Sequence, residues 1–238
     1  MSKILNAGSS FINRYIIPLD KDCYCLFDTG YKWSYKEFCE KLNKCNVKLE
    51  DVKYVVITHM HADHTGFLKE LLTHIQPTLI YDFDDRKRLE AGKNNLNTYI
   101  SGFWTLVASK FSVAFVDLTQ VFPAVFYDKA LDAKTQPLAD YGVEFISLKG
   151  HTECDLCALW EGILFCGDLC MSGIGATKHS PMWIFNKYDM VESWRTIVKD
   201  ERIKTLYPAH GKPFERDDLL ECIDFWQAKG VFRLYSKK

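Results

Sequence analysis

Residues 58–66, Thr58-His59-Met60-His61-Ala62-Asp63-His64-Thr65-Gly66, constrain this chain more than any other stretch. Three histidines and one aspartate fall within six consecutive positions. On one side Val52-Lys53-Tyr54-Val55-Val56-Ile57 is apolar and β-branched, the pattern of a buried strand; on the other, Phe67 to about Ile75 has helical spacing. The cluster therefore lies where a strand hands over to a helix. Side chains on extended backbone repeat every two residues, so His59 and His61 face the same way, while Asp63 and His64, at the turn into the helix, aim elsewhere. That division suits two neighbouring metal ions better than one. Imidazole and carboxylate are donors that zinc and related first-row metals accept. A plain polar loop with Asp63 as a helix N-cap accounts for only one of the four residues.

The rest of the chain repeats the same arrangement more sparsely. Phe11 to Leu19 and Cys23 to Phe27 read as strands, with Asp28-Thr29-Gly30 as a turn closing the second. Tyr35 to Cys45 reads as a helix and Thr78-Leu79-Ile80-Tyr81 as a short strand after Pro77. Val143 to Leu148 is a strand that ends at Gly150-His151-Thr152, and Leu156–Trp160 with Ile163–Cys166 form a hairpin that ends at Gly167-Asp168. Asp189–Lys199 is an amphipathic helix, Ile203–Tyr207 the last strand, ending at Pro208-Ala209-His210-Gly211, and Asp217–Lys229 a terminal helix. Thus His59, His151, Asp168 and His210 each follow a strand, and in layered α/β folds ligands collect at the carboxyl ends of strands. Together with His61, Asp63 and His64 of the dense cluster they supply seven ligands, enough for two metal sites.

Residues 82–141 differ in character. The segment is rich in aromatics, notably from Phe103 to Phe115 and from Phe122 to Tyr127, and carries no metal-ligand type at useful spacing. It reads as mostly helix and loop inserted beside the site, a lid or a shaper of the pocket. Further along, Lys178-His179-Ser180-Pro181-Met182-Trp183 offers His179 as a substrate-side catalytic candidate and Trp183 as a pocket floor, against a loop with a packed Trp183.

With 238 residues and a net charge of −1, the chain has neither a long charge run nor a basic stripe, which argues against nucleic acid as a partner. It shows no signal-peptide core and no apolar run of membrane-spanning length, so a cytoplasmic protein without a membrane partner is expected. Nine cysteines, mostly inside apolar runs, read as reduced core thiols.

The motifs His59-x-His61-x-Asp63-His64, Gly150-His151-Thr152, Gly167-Asp168 and Pro208-Ala209-His210-Gly211, with the early Asp28-Thr29-Gly30, resemble the signature of the metallo-β-lactamase superfamily, in order and across nearly the whole chain. The resemblance implies an α/β fold of four layers, two mixed β-sheets face to face with helices on both outer sides, as a single domain over 1–238. It also implies that His59, His61 and His151 hold one metal, Asp63, His64 and His210 a second, and that Asp168 bridges them. Two Zn2+ are expected, with Fe or Mn as options. A bridging hydroxide would attack the substrate, and Asp63 would orient it and shuttle a proton.

Departures from known branches narrow the expectation. Flavodiiron oxygen reductases typically carry Glu where His61 stands and a flavin domain beyond. Exported β-lactamases replace the bridging aspartate. Glyoxalase II adds a helical glutathione-binding region, and acyl-homoserine lactonases place Tyr where Met171 stands. The expectation is a metal-dependent hydrolase of a small ester, thioester, lactone or related substrate. A phosphodiesterase and a mononuclear iron dioxygenase of the same fold are the alternatives. The partner is a small-molecule substrate, and the oligomeric state is left open, a homodimer included.

Overall fold

The computed structural model describes residues 3–95, 99–101, 122–173 and 176–233. They fall into two compact units: residues up to 94 with 122–145, and residues 95, 99–101 and 146–233.

In the first unit, β1 (Leu5–Asn6), β2 (Tyr15–Asp20), β3 (Cys23–Phe27), β4 (Val52–Val56) and β5 (Thr78–Tyr81) form a sheet in that order, completed by an edge strand at Ala130–Asp132. The β1–β2 and β2–β3 pairs are antiparallel; β3, β4, β5 and the edge strand run parallel. Parallel neighbours require crossovers, here supplied by α1 (Tyr35–Lys44) and by α2 (Ala62–Thr65) with α3 (Leu68–His74). Ile16, Leu26, Val55 and Leu79 of the sheet meet Phe38 and Leu42 of α1 and Phe67, Leu68 and Leu71 around α3 in one buried core. Each such side chain contributes roughly 1.5–3 kcal/mol by burial. A short helix, α4 (Arg86–Ala91), follows β5.

In the second unit, β6 (Glu144–Leu148), β7 (Asp155–Trp160), β8 (Ile163–Gly167) and β9 (Thr205–Pro208) lie side by side, with Phe214–Glu215 on the outer edge of β9. Pairing is antiparallel between β7 and β8 and parallel between β8 and β9. Every residue of β7 and β8 is buried, and apart from Asp155 at the start of β7 both are continuous apolar runs. Helices α5 (Lys187–Lys199) and α6 (Asp218–Ala228) close this core with Met190, Trp194, Ile197, Leu219, Cys222 and Trp226. Asn186 caps α5 through its side-chain oxygen, which accepts from the Tyr188 and Asp189 N–H groups.

Two expectations need correcting, and a third needs an addition. The strand expected over Phe11–Leu19 begins only at Tyr15, because Ser9 Oγ accepts the Phe11 and Ile12 N–H groups and bends the chain, leaving Phe11 76% exposed. Ile203–Tyr207 is not the last strand: Phe214–Glu215 pairs antiparallel with β9, and Phe232–Arg233 pairs with Tyr99–Ile100. The described part of the 82–141 segment is mostly helix and loop, as expected, but it also holds two short strands. Ala130–Asp132 extends the first unit's sheet, and Tyr99–Ile100 is the middle of a three-stranded sheet with Trp183–Ile184 and Phe232–Arg233. The Phe103–Phe115 aromatic run and the lid reading lie outside the described residues. All nine cysteines carry free thiols; Cys25, Cys154, Cys157, Cys166, Cys170 and Cys222 are buried. Among the described residues no helix is long and apolar enough to cross a membrane.

Candidate metal centre

In the first unit the histidine loop is organised by a residue the sequence presents as a mere turn. Asp28 follows β3 in the left-handed region at φ 58°, where Asp and Asn are tolerated better than most residues because their short side chains can bond locally. Its carboxylate accepts the Thr58 N–H at 2.9 Å and the Thr58 hydroxyl at 2.9 Å, and it lies 2.9 Å from His64 Nδ1. A carboxylate only accepts, so His64 Nδ1 carries a proton and Nε2 the lone pair. Thr58 has one hydroxyl proton and gives it to Asp28. Towards His59 Nδ1, 3.0 Å away, its oxygen therefore accepts, and His59 too keeps its proton on Nδ1. One buried carboxylate thus sets two imidazoles in the tautomer that leaves Nε2 able to bind a cation.

The ligand-type atoms then converge within this unit. His59 Nε2 stands 3.0 Å from His61 Nδ1, and the His59 ring centroid lies 4.0 Å from that of His64. His64 Nε2 is 3.8 Å from Asp63 Oδ2. Asp63 sits in the first turn of α2, and the N-cap there is His61 in extended conformation, not Asp63. His74, at the end of α3, stacks on Tyr35 with centroids 5.2 Å apart and belongs to the helix surface.

In the second unit each candidate comes from a separate turn. His151 Nδ1 is 2.8 Å from the Trp183 carbonyl, an acceptor only, so His151 also presents its lone pair at Nε2. Gly150 has φ 148°, and a Cβ there would lie 2.5 Å from Met190 Cα, so the turn before His151 packs tightly onto α5. Asp155, at the buried start of β7, accepts the His151 N–H at 3.0 Å, the Thr152 N–H at 3.1 Å and the Thr152 hydroxyl at 2.7 Å. Burial pushes its carboxyl up to about 7, against those hydrogen bonds, which favour the charged form. Asp168, just past β8, faces two imidazoles: Oδ2 is 3.6 Å from His151 Nε2 and Oδ1 is 3.5 Å from His210 Nε2. His210 is fixed by its carbonyl, which accepts the Ser172 N–H at 3.0 Å, and Ala209 N–H donates to Gly167 O at 2.9 Å. Gly211, at φ 94°, leaves no room for a side chain: a Cβ would lie 1.3 Å from Ser172 O.

His179 is held by its surroundings. Its ring stacks on Phe214 at 3.8 Å, and Nδ1 donates to the Met171 carbonyl at 3.1 Å, so Nε2 is its remaining acceptor. Lys178 beside it is exposed, and the two have φ of 48° and 58°. The pocket-floor candidate Trp183 is half-buried and contributes its carbonyl to His151. Cys154 and Cys157 flank the strand entry as buried thiols, and desolvation raises Cys157 well above the ordinary range.

These donors fit a metal ion. Two donors bound at 2.0–2.2 Å with a tetrahedral angle between them sit about 3.4 Å apart. The Asp168 pairs at 3.5 and 3.6 Å and the Asp63–His64 pair at 3.8 Å lie slightly above that spacing, and are long for direct hydrogen bonds. The donor set, imidazole with carboxylate, accepts zinc, iron or manganese. Sequence reasoning missed Asp28, Thr58 and Asp155 as supports. For Asp155 the signal is an acid placed directly before an apolar strand; for Asp28 it is a non-glycine at a sharp strand-end turn.

The family model described as the metallo-beta-lactamase superfamily matches residues 8–210. Among solved structures, an archaeal metallo-beta-lactamase superfamily protein from Sulfolobus tokodaii is similar with a TM-score of 0.67 at 18% identity, covering 99% of this chain and 90% of that one. The Rm3 metallo-beta-lactamase is similar with a TM-score of 0.63 at 17% identity, covering 86% of this chain and 74% of that one. These likenesses show the fold, the α/β sandwich expected from the motifs. Among curated relatives, an anaerobic nitric oxide reductase flavorubredoxin homolog of Escherichia coli O157:H7 is 41% identical over 75 residues, 31% of this chain and 17% of that protein. The flavorubredoxin of Salmonella paratyphi B is 40% identical over 75 residues, 15% of its length. The chain thus matches less than a fifth of the length of these relatives.

Proposed function

The chain belongs to the metallo-beta-lactamase superfamily, and from that premise we propose that it is a dinuclear metal-dependent hydrolase of a small ester, thioester, lactone or related substrate. On this reading the two units are halves of one domain. His59, His61 and His151 would hold one ion and Asp63, His64 and His210 the other, with Asp168 as a ligand for both. The observation that carries the reading is Asp168, whose two oxygens address two different imidazoles at ligand-to-ligand spacing. When bound, a zinc pair supplies a water of lowered pKa and a Lewis acid for the substrate oxygen.

The chain's own side chains do the remainder. Asp28 and Trp183 O keep the imidazoles in the binding tautomer. Asp63, with a partly exposed carboxylate, accepts the nucleophile's proton and returns it to the leaving group. His179 offers Nε2 to a substrate oxygen as hydrogen-bond partner, its ring held by Phe214. Its role is separable from the metal ligands because its Nδ1 is committed to the Met171 carbonyl.

A second reading is favoured by one observation. The 75-residue likeness is to anaerobic nitric oxide reductase flavorubredoxins, and the same donor types accept iron. His61 stands where flavodiiron oxygen reductases typically carry Glu, which is why hydrolysis is placed first. Elemental analysis of protein purified without chelator, with turnover on chromogenic esters, thioesters, lactones and phosphodiesters, separates the readings. Two zinc ions per chain with turnover on one class supports the hydrolase. Iron with consumption of oxygen or nitric oxide supports the second reading. A chain without bound metal that stays inert after metal addition refutes both.

A further inference from the structure

Arg14 is wholly buried in the first unit, and its guanidinium is held by neutral groups. Nε donates to Thr29 O at 2.6 Å, Nη2 to Ser34 Oγ at 2.8 Å and Nη1 to Ala7 O at 3.3 Å. Its charged end lies over the Phe67 ring, 5.4 Å from the centroid. Gly30 leaves it room, since a Cβ there would lie 2.4 Å from Nη2. One planar fork therefore ties together the N-terminal segment, the 28–30 turn, the start of α1 and the residue that opens α3. Burial lowers the guanidinium pKa to about 10, with Glu37 acting through space in the opposite sense. Placing a cation among neutral acceptors is costly, and an apolar side chain would fill such a space at less cost. What the cation holds must explain it.

It holds the turn that governs the ligands. Thr29 N–H donates to His64 O at 2.8 Å, and the Thr29 hydroxyl donates to the same oxygen at 2.7 Å. Phe67 N–H donates to Gly30 O at 3.0 Å. Asp28, one residue before Thr29, fixes the entrance of the histidine loop through Thr58 and its far side through His64. Both ends of that loop lean on a turn whose Thr29 carbonyl faces Arg14 Nε. A lysine could satisfy one of the three acceptors well; only a guanidinium presents donors to all three in a fixed plane.

We propose that Arg14 is a positioning residue for the metal ligands: by holding the Asp28–Gly30 turn from behind, its guanidinium sets the His59 and His64 rings in the orientation and tautomer a metal requires. The inference rests on the metal-centre reading above. The test uses the full chain as wild type, Arg14→Lys, Arg14→Met and Ser34→Ala, the last removing one acceptor and leaving the arginine in place. Zinc affinity is measured by competition with a chelating dye, and the imidazole tautomers of chelated protein by long-range 1H–15N NMR. Arg14→Met is expected to weaken zinc binding at least tenfold, with Arg14→Lys intermediate and Ser34→Ala weakened at least twofold. The His64 and His59 signals should shift towards mixed tautomers in the same order. If Arg14→Met does not fold, Arg14→Lys and Ser34→Ala carry the comparison. A role confined to the core lowers melting temperature yet leaves affinity within twofold of wild type and the tautomers unchanged, and that result overturns the proposal. Should wild type bind no zinc, iron or manganese, the metal-centre reading fails by itself, and unchanged tautomers in the variants then overturn the role of Arg14 separately.

Discussion

The two units carry their ligand-type residues in opposite ways. The first places four on one continuous stretch and orients two of them, His59 and His64, from a single buried carboxylate, Asp28. The second draws three from three separate turns: His151 is fixed by Trp183 O and His210 by Ser172, while Asp168 is placed by its position just past β8. A hub is sensitive to one distant substitution. Separate anchors fail one at a time. The difference teaches that damage in the first unit should spread to several ligands, whereas damage in the second should stay local unless it reaches Asp168.

The sharpest test is Asp168→Ala. On the proposed dinuclear reading, loss of the residue that addresses both imidazoles should lower turnover by about 1,000-fold or more and reduce bound metal from two ions to one or none, read by steady-state kinetics and elemental analysis. Retained metal with undiminished turnover would remove the basis for a bridged pair. Next comes Asp28→Ala, a residue outside the ligand set. If the hub description holds, metal affinity falls by about 10–100-fold, the range for outer supports of metal ligands. His151 anchored through Trp183 O should be unaffected, so the His59 and His64 imidazole resonances move and that of His151 does not. Gly211→Ala probes the local anchors. A side chain at φ 94°, directed into Ser172 O, should destabilise the fold by about 2–3 kcal/mol in urea titration, with His210 the one ligand displaced. His179→Gln is expected to have the smallest effect. Turnover should fall by less than about tenfold with metal content unchanged; a loss of metal would show that this ring supports the centre itself.

The sequence exposed these two arrangements unequally. Contiguity made the 59–64 cluster legible, because a strand pattern on one side and a helix pattern on the other fix where the side chains must lie. His151, Asp168 and His210 were legible as a pattern of strand ends, each weak alone. Asp28 was hidden because its value depends on a residue 36 positions away, His64, which no local period reports. Arg14 was hidden for a different reason. It lies within an apolar stretch that reads as a strand, while Ser9 turns the chain and Tyr15 begins the strand one residue later. The Ala130–Asp132 edge strand escaped notice because its pairing with β5 joins residues about fifty positions apart.

Position 28 is subject to two demands that pull apart. The bend there favours glycine or asparagine, and neither supplies an anionic acceptor for a hydroxyl, an amide and an imidazole at once. A saturation library at this codon, sorted once for solubility and once for zinc retention, should therefore yield two different populations, with aspartate alone prominent in both.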